Sequence, residues 1–367
     1  MNKKIYADHA ATTPIDTRVL NAMLPFLGGS YYNPSAIYPE ARAVRAMIEE
    51  ARSDLLNLIG GDPEGKIIFT GSGTESANMA IRSALSAFGE NRTKGKKKRI
   101  LVSAAEHHAV LNCVNSLSVN LLQSEESIAE RFIVEQLPVN CYGIVTPDTL
   151  KKYMGDDVRL VSIMTVNNET GAINDTAALR QIAHRGGAKF FTDAVQALGV
   201  MDICAKDTGA DYISVSAHKI YGPKGIGALY ASPSAPITPL IFGGKQENGA
   251  RAGTENTAGI AGFGCACEIL AKRLKEDTAH LAKLKQIFCG GISKIPEIMV
   301  NSPPLGAPHI INISAKGVEA EQCLLRLSMA GILASMGAAC NASSVEPSHV
   351  VEAIGVPAEY KRGTLRF

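Results

Sequence analysis

The alternation of short apolar runs with amphipathic stretches between residues 66 and 230 constrains this chain most. Lys66-Ile-Ile-Phe-Thr70, Ile100-Leu-Val-Ser103 and Leu160-Val-Ser-Ile-Met-Thr-Val166 read as buried strands. So do Lys189-Phe-Phe-Thr-Asp193-Ala-Val-Gln196, Asp211-Tyr-Ile-Ser-Val215 and Gly225-Ile-Gly-Ala-Leu-Tyr230. Runs that stay apolar along their length suit strands covered on both faces. Helical segments from Gly73 to Phe88, after Pro147, and from Thr176 to Gly186 separate them, and strand–helix alternation makes such a sheet mostly parallel. Upstream, Asp16 to Leu27 reads as a helix closed by Gly28-Gly29. Pro39 to Ile59 reads as a longer one, with Ala43, Met47, Ala51, Leu55 and Leu58 at helical spacing. Past Asn256 the pattern changes to a long helix, roughly 256–290, then a strand at 308–314, a helix at 319–329 and a strand at 332–335. The expectation is an α/β chain: a large domain over 15–258, and a smaller α+β domain from 1–14 and 259–367.

With 367 residues, 46% of them hydrophobic and 20% charged, the chain can bury a sizeable core. A net charge of +2 predicts no strong attraction to nucleic acid or to a membrane surface. No apolar run is long enough to span a bilayer. Met1-Asn-Lys-Lys-Ile5 leads straight into folded-looking sequence, so no signal peptide and a cytoplasmic location are expected. The eight cysteines, at 113, 141, 204, 265, 267, 289, 323 and 340, show no metal-ligand spacing. Seven of them are expected to be reduced, mostly buried thiols. Arg92 to Arg99 reads as a solvated basic loop.

The residues that carry chemistry stand at the ends of the strand-like runs, where open α/β sheets bind ligands. The run ending at Val215 continues Ser216-Ala-His218-Lys219-Ile-Tyr-Gly-Pro-Lys-Gly225. Read alone, such a lysine is more often a surface residue. Partly desolvated, its amine attacks carbonyls to form Schiff bases. Gly71-Ser-Gly73-Thr74-Glu75, between a strand and a helix, is either a plain cap or a phosphate cradle of free backbone N–H groups. Asp193 ends a buried strand and needs a cationic or hydrogen-bonding partner; a protonated pyridine nitrogen would serve. Asp193 and Lys219 are spaced to lie on neighbouring strand ends. His107 could stack on an aromatic ring or move protons. A Schiff-base lysine, a phosphate cradle and a carboxylate for a pyridinium are the parts a pyridoxal 5'-phosphate (PLP) site requires. Cys340 lies in Ser335-Met-Gly-Ala-Ala-Cys340-Asn-Ala-Ser-Ser. That stretch is too poor in large side chains to pack a core, so Cys340 is a candidate nucleophile or an incidental loop thiol.

These motifs stand in one order: Asp8 to Pro14, Phe69 to Asn78, Glu106-His107, Val166 to Gly171, Asp193 to Gln196, Ser216 to Gly227, Arg251 to Thr254, and Ser335 to His349. In that order they resemble the cysteine desulfurases of the NifS/IscS type, within the class V aminotransferase group of fold-type I PLP enzymes. The resemblance implies a large domain with a mostly parallel seven-stranded sheet. It implies that Lys219 carries PLP, Asp193 holds the pyridinium, and His107 stacks on the ring. Gln196 and Asn168 would reach ring substituents or substrate. Gly73, Thr74, Ser216 and His218 would hold the phosphate, with Thr254 reaching the phosphate of the other subunit of a homodimer. Arg366 would receive the carboxylate of L-cysteine. Cys340, on a long mobile loop, would take the sulfur as a persulfide and pass it to an acceptor protein, such as an Fe–S scaffold, or to tRNA thiolation. Relatives usually run on after the arginine–phenylalanine pair, whereas the sequence stops at Phe367; the expectation is a loosely held Arg366. The alternatives are a selenocysteine lyase-like enzyme or a catalytically impaired PLP-binding scaffold.

Overall fold

The structure is a computed structural model, and it describes residues 4–86, 98–118, 132–337 and 347–367. The strands run in chain order as β1 Ile5–Tyr6, β2 Lys66–Thr70, β3 Lys98–Ser103, β4 Phe132–Leu137, β5 Val158–Ser162 and β6 Lys189–Asp193. They continue as β7 Tyr212–Ser216, β8 Gly227–Ala231, β9 Ile298–Val300, β10 Asn312–Ala315, β11 Ile332–Leu333 and β12 Thr364–Arg366. The helices are α1 Thr17–Leu27, α2 Pro39–Leu58, α3 Gly73–Ser86, α4 His108–Ser118, α5 Pro147–Tyr153 and α6 Thr176–Arg185. After them come α7 Ala205–Thr208, α8 Thr257–Ile292, α9 Ala320–Met329, α10 His349–Ala353 and α11 Ala358–Lys361.

Seven strands form the central sheet in the order β2-β8-β7-β6-β5-β3-β4. Only β8 runs antiparallel to its neighbours, so the sheet is mostly parallel as expected. Successive side chains along each strand enter opposite cores, as the two-residue period demands. Phe190 and Ile213 join the core shared with α1, α2, α6 and α8, while Phe191 and Tyr212 join the one under α3 and α4. In α2, Ala41, Val44, Ile48, Ala51 and Leu55 are buried. The buried stripe therefore shares only Ala51 and Leu55 with the stripe read from sequence, and Ala43 faces solvent. The helix presses on α8 where a Cβ added to Gly264 would stand 2.7 Å from Ala51 Cβ. A glycine is needed at that crossing.

Several elements escaped the sequence reading. Strand β4 is an edge strand with few fully buried residues, so its apolar signal is diluted. Strands β9 and β12 are three residues each and flank β10 in a three-stranded antiparallel sheet. Helix α4 begins at His108, directly after the candidate His107. Two expected strands are shorter than read: β5 ends at Ser162 and β6 at Asp193, leaving Val166 in an isolated bridge to Ile173 and Gln196 in a turn. Arg99 belongs to β3, paired with Asp157 at 2.9 Å and Glu135 at 2.7 Å, and not to a solvated loop; residues 92–97 lie outside the described residues. Of the seven described cysteines, all free, only Cys113 and Cys267 are buried and Cys141 is exposed, so mostly buried thiols are not what is found.

Asp211 locks the sheet at the end opposite the candidate residues. It is 2% exposed and accepts hydrogen bonds from Lys189 Nζ at 2.6 Å, the Phe190 N–H at 2.8 Å and His184 Nε2 at 2.7 Å. Burial pushes its carboxyl up, but His184, Lys189 and the Phe190 N–H outweigh it and hold the group below its ordinary value. A depressed carboxylate contributes stability that is present above its unfolded pKa and lost as pH falls through the folded one. Asp211→Ala should therefore lower unfolding stability by about 2–3 kcal/mol at neutral pH, because it strands the Lys189 charge and a buried N–H. The deficit should start to shrink as pH falls below about 4, the ordinary carboxylate value, and vanish only once pH has passed through the lower native value and Asp211 is itself protonated. Denaturant melts at several pH values measure both effects.

Candidate active site

At the C-terminal ends of the parallel strands lies a cavity of about 260 Å³. It gathers Gly73, Thr74, His107, Asn168, Asp193, Gln196, Ser216, His218, Lys219 and Arg366. Ten of the twelve residues expected from sequence thus line one space. Thr254 does not; it lines a separate cleft with Arg251 and Asn256. Cys340 lies outside the described residues.

Strand pairing places the two principal groups. Asp193 lies opposite Ser214 on the neighbouring strand β7, and β7 runs into a single 3-10 turn, Ala217–Lys219, that delivers Lys219. Lys219 Nζ donates to the carbonyls of Ala10 and, at 2.7 Å, Ala11. The Asp8 to Pro14 stretch therefore forms the wall behind the amine. Asp193 is 7% exposed and takes the Val195 N–H at 2.9 Å. Burial pushes its carboxyl up, against the Val195 N–H, His107 and Lys219.

Two histidines are held neutral. Burial, aided by the charges of Lys219 and Lys224, pushes His218 down to about 4, and its Nδ1 meets Thr12 Oγ1 at 3.1 Å. Burial lowers His107 as well, while Asp193 pulls the other way. His107 Nδ1 accepts the Ala109 N–H at 3.1 Å, which leaves the proton of the neutral ring on Nε2.

The N-terminus of the 14-residue α3 opens onto the cavity at Gly73 and Thr74. A Cβ on Gly73 would come within 2.8 Å of Val195 Cγ2, so the close approach of backbone to cavity requires glycine. Arg366 is 2% exposed, fixed in β12 between β10 and a bridge to Ser335. Its Nη1 donates to Asn168 O at 2.8 Å and its Nη2 to Asp8 Oδ1 at 3.0 Å. The expectation of a loosely held Arg366 is overturned: the arginine is anchored by β-pairing and by Asp8. Its Nε and the nearby Asn168 Oδ1 are buried without a hydrogen-bond partner among the described residues.

Sequence reasoning assigned no role to four contributors. Asp8 pairs with Arg366; its motif was noted but given no role. His309 Nε2 meets Gln196 Oε1 at 3.0 Å, so it fixes the amide whose Nε2 donates to Ala10 O at 2.8 Å. Met164 and Val166 supply the apolar wall. Only Asp8 stood in a polar motif that could have revealed it.

The donor set fits PLP. The helix end and Gly73 offer a phosphate cradle. Asp193 is a buried carboxyl on the cavity wall, where a pyridinium would find an anionic partner. Asn168 Oδ1 and Arg366 Nε are orphaned polar atoms that a ligand can satisfy. Among the described residues no cluster of His, Cys, Asp or Glu is placed to hold a metal ion, and no helix is long and apolar enough to cross a membrane.

Residues 5–367 match the family described as aminotransferase class-V. The chain is 43% identical over 369 residues to a protein named cysteine desulfurase IscS from Dictyoglomus turgidum, covering 100% of this chain and 90% of that one. A solved structure named a NifS-like protein superposes with a TM-score of 0.88 at 32% identity, covering 99% of this chain and 93% of that one. Another, described as SspA in complex with cysteine, gives 0.82 at 32% identity, covering 99% and 97%. The strand order, the site at the strand ends and these likenesses agree, and the chain belongs to the class-V aminotransferase family, among its NifS/IscS-type cysteine desulfurases.

Proposed function

We propose that the chain is a PLP-dependent cysteine desulfurase that takes sulfur from L-cysteine, releases L-alanine and leaves a persulfide on Cys340. The observation that carries this reading is the convergence of Lys219, Asp193, His107, the α3 N-terminus and Arg366 on one cavity. Lys219 would hold the cofactor, with Asp193 at its ring nitrogen, His107 walling its face, and Gly73, Thr74, Ser216 and His218 around its phosphate. PLP, when bound, supplies an electron sink conjugated to the substrate's amino-bearing carbon. Arg366 orients the substrate carboxylate beside Asn168. The Cys340 thiolate forms an S–S bond with the substrate sulfur. The C–S electron pair stays on carbon, which takes a proton and leaves as alanine. Lys219, at the cavity wall, is placed to carry that proton. A homodimer completed by Thr254, and a protein acceptor for the persulfide such as an Fe–S scaffold, extend the reading.

The test is product analysis. The purified yellow protein given L-cysteine and a thiol reductant should release alanine and sulfide in equal amounts. A yellow protein that releases neither overturns the reading. Arg366→Lys should raise half-saturating cysteine by about tenfold or more with the cofactor absorbance unchanged, because an ammonium cannot reproduce the guanidinium fork that holds Asn168 O, Asp8 and a carboxylate together. Steady-state titration with cysteine measures it.

A further inference from the structure

Glu169 stands in the turn after β5, next to Asn168 of the cavity wall, and is 0% exposed. The mechanism above leaves it without a task. Its Oε1 accepts the hydroxyl proton of Ser348 at 2.7 Å. The Ser348 hydroxyl in turn accepts the Val350 N–H at 3.1 Å, which caps α10 and fixes the direction of its single proton. Glu169 Oε2 has no hydrogen-bond partner among the described residues. It lies against Gly337: a Cβ built there would stand 2.3 Å from Oε2 and 3.6 Å from Ser348 Cβ. Gly337 precedes and Ser348 follows the stretch of sequence that contains Cys340. One buried carboxyl thus touches both flanks of that stretch.

The same turn also faces the cavity. Asn168 lines it, and Arg366 Nη1 binds the Asn168 carbonyl at 2.8 Å. The Glu169 backbone N–H is held by Asn167 Oδ1 at 2.9 Å, and Asn167 Nδ2 reaches Ala105 O at 2.8 Å. A five-residue turn, Asn167 to Gly171, therefore ties the substrate side of the cavity to both flanks of the Cys340 stretch. Burial pushes the Glu169 carboxyl up, against Ser348, Arg366 and His108.

We propose that Glu169 is a positioning residue for sulfur transfer: by gripping Ser348 and abutting Gly337 it fixes, beside the cavity wall, the two described residues that flank the Cys340 stretch in sequence, without contributing to cofactor or substrate binding. The proposal rests on the desulfurase reading. In the holoenzyme, Glu169→Ala should keep the cofactor absorbance, the spectral change on adding L-cysteine and the half-saturating concentration. It should slow formation of the Cys340 persulfide, followed by mass spectrometry in a single turnover, by about tenfold or more. Glu169→Gln, which keeps a side-chain oxygen to accept from Ser348, should restore most of that rate. Ser348→Ala removes the same bond from the other side and should mimic Glu169→Ala, so the test survives an alanine variant that does not fold. A wild-type persulfide rate in Glu169→Ala or Ser348→Ala overturns the proposal. So does a parallel loss of cysteine binding, which would make Glu169 part of the cavity. A wild-type protein that forms neither alanine nor persulfide fails the desulfurase reading instead, and is told apart by that control.

Discussion

Lys219→Ala is expected to reduce alanine and sulfide release from L-cysteine by at least about a thousandfold. Lys219 Nζ is an amine at the cavity wall, held by two carbonyls and flanked by the neutral His218. Among the described residues no second lysine lines the cavity, so no other amine there takes over as nucleophile. The fold should survive, since the Ala10 and Ala11 carbonyls left behind open into a cavity of about 260 Å³ that water can enter. Lys219→Arg separates the roles: it keeps the positive charge and the carbonyl contacts but not a nucleophilic amine, and should be as inactive as the alanine variant. Product release, read with the cofactor absorbance and a thermal melt, decides the matter. Retention of a tenth of the native rate in either variant would remove Lys219 from its assigned role.

The site was legible in the sequence because strand ends announce it. Asp193 and Lys219 follow apolar runs separated by one crossover, so parallel pairing had to bring them together, and β6 beside β7 does so. Gly73 and Thr74 stand between a strand and a helix, and the cradle follows from that order alone. The less legible parts are those made by distant segments. Asp8 meets Arg366 across 358 positions and His309 meets Gln196 across 113, and no local pattern encodes either pair. The short strand β12 carries Arg366 into the site, yet three residues show no periodicity, so the β-pairing that anchors the arginine was not legible. The α2 stripe failed for a different reason. Alanine is small enough to occupy either face, and what α8 packs against decided which alanines were buried.

Cys340→Ser is expected to abolish persulfide formation and cut product release at least about a hundredfold, while leaving cofactor absorbance and cysteine binding intact. A serine hydroxyl is a far weaker sulfur nucleophile than a thiolate, and its higher pKa keeps it protonated. The described residues also bear on which thiol can act. None of the seven other cysteines lines the cavity. Burial pushes the Cys113 thiol up to about 11 and raises Cys267 further, and Cys265 is raised by burial and by Glu268. Cys204 is raised chiefly by its hydrogen bond with Asp207. Thiols that do not reach the cavity cannot attack a sulfur bound in it. Cys340 remains, in a stretch whose flanks, Gly337 and Ser348, meet at Glu169 beside the cavity wall. Mass spectrometry after one turnover should place the added sulfur on Cys340 alone in the native protein and nowhere in Cys340→Ser. A persulfide on any other cysteine in the native protein, or a Cys340→Ser variant that still turns over at a tenth of the native rate, would move the sulfur acceptor elsewhere. It would also separate the cavity, with its Lys219 and Asp193, from the Cys340 thiol as the site of sulfur transfer.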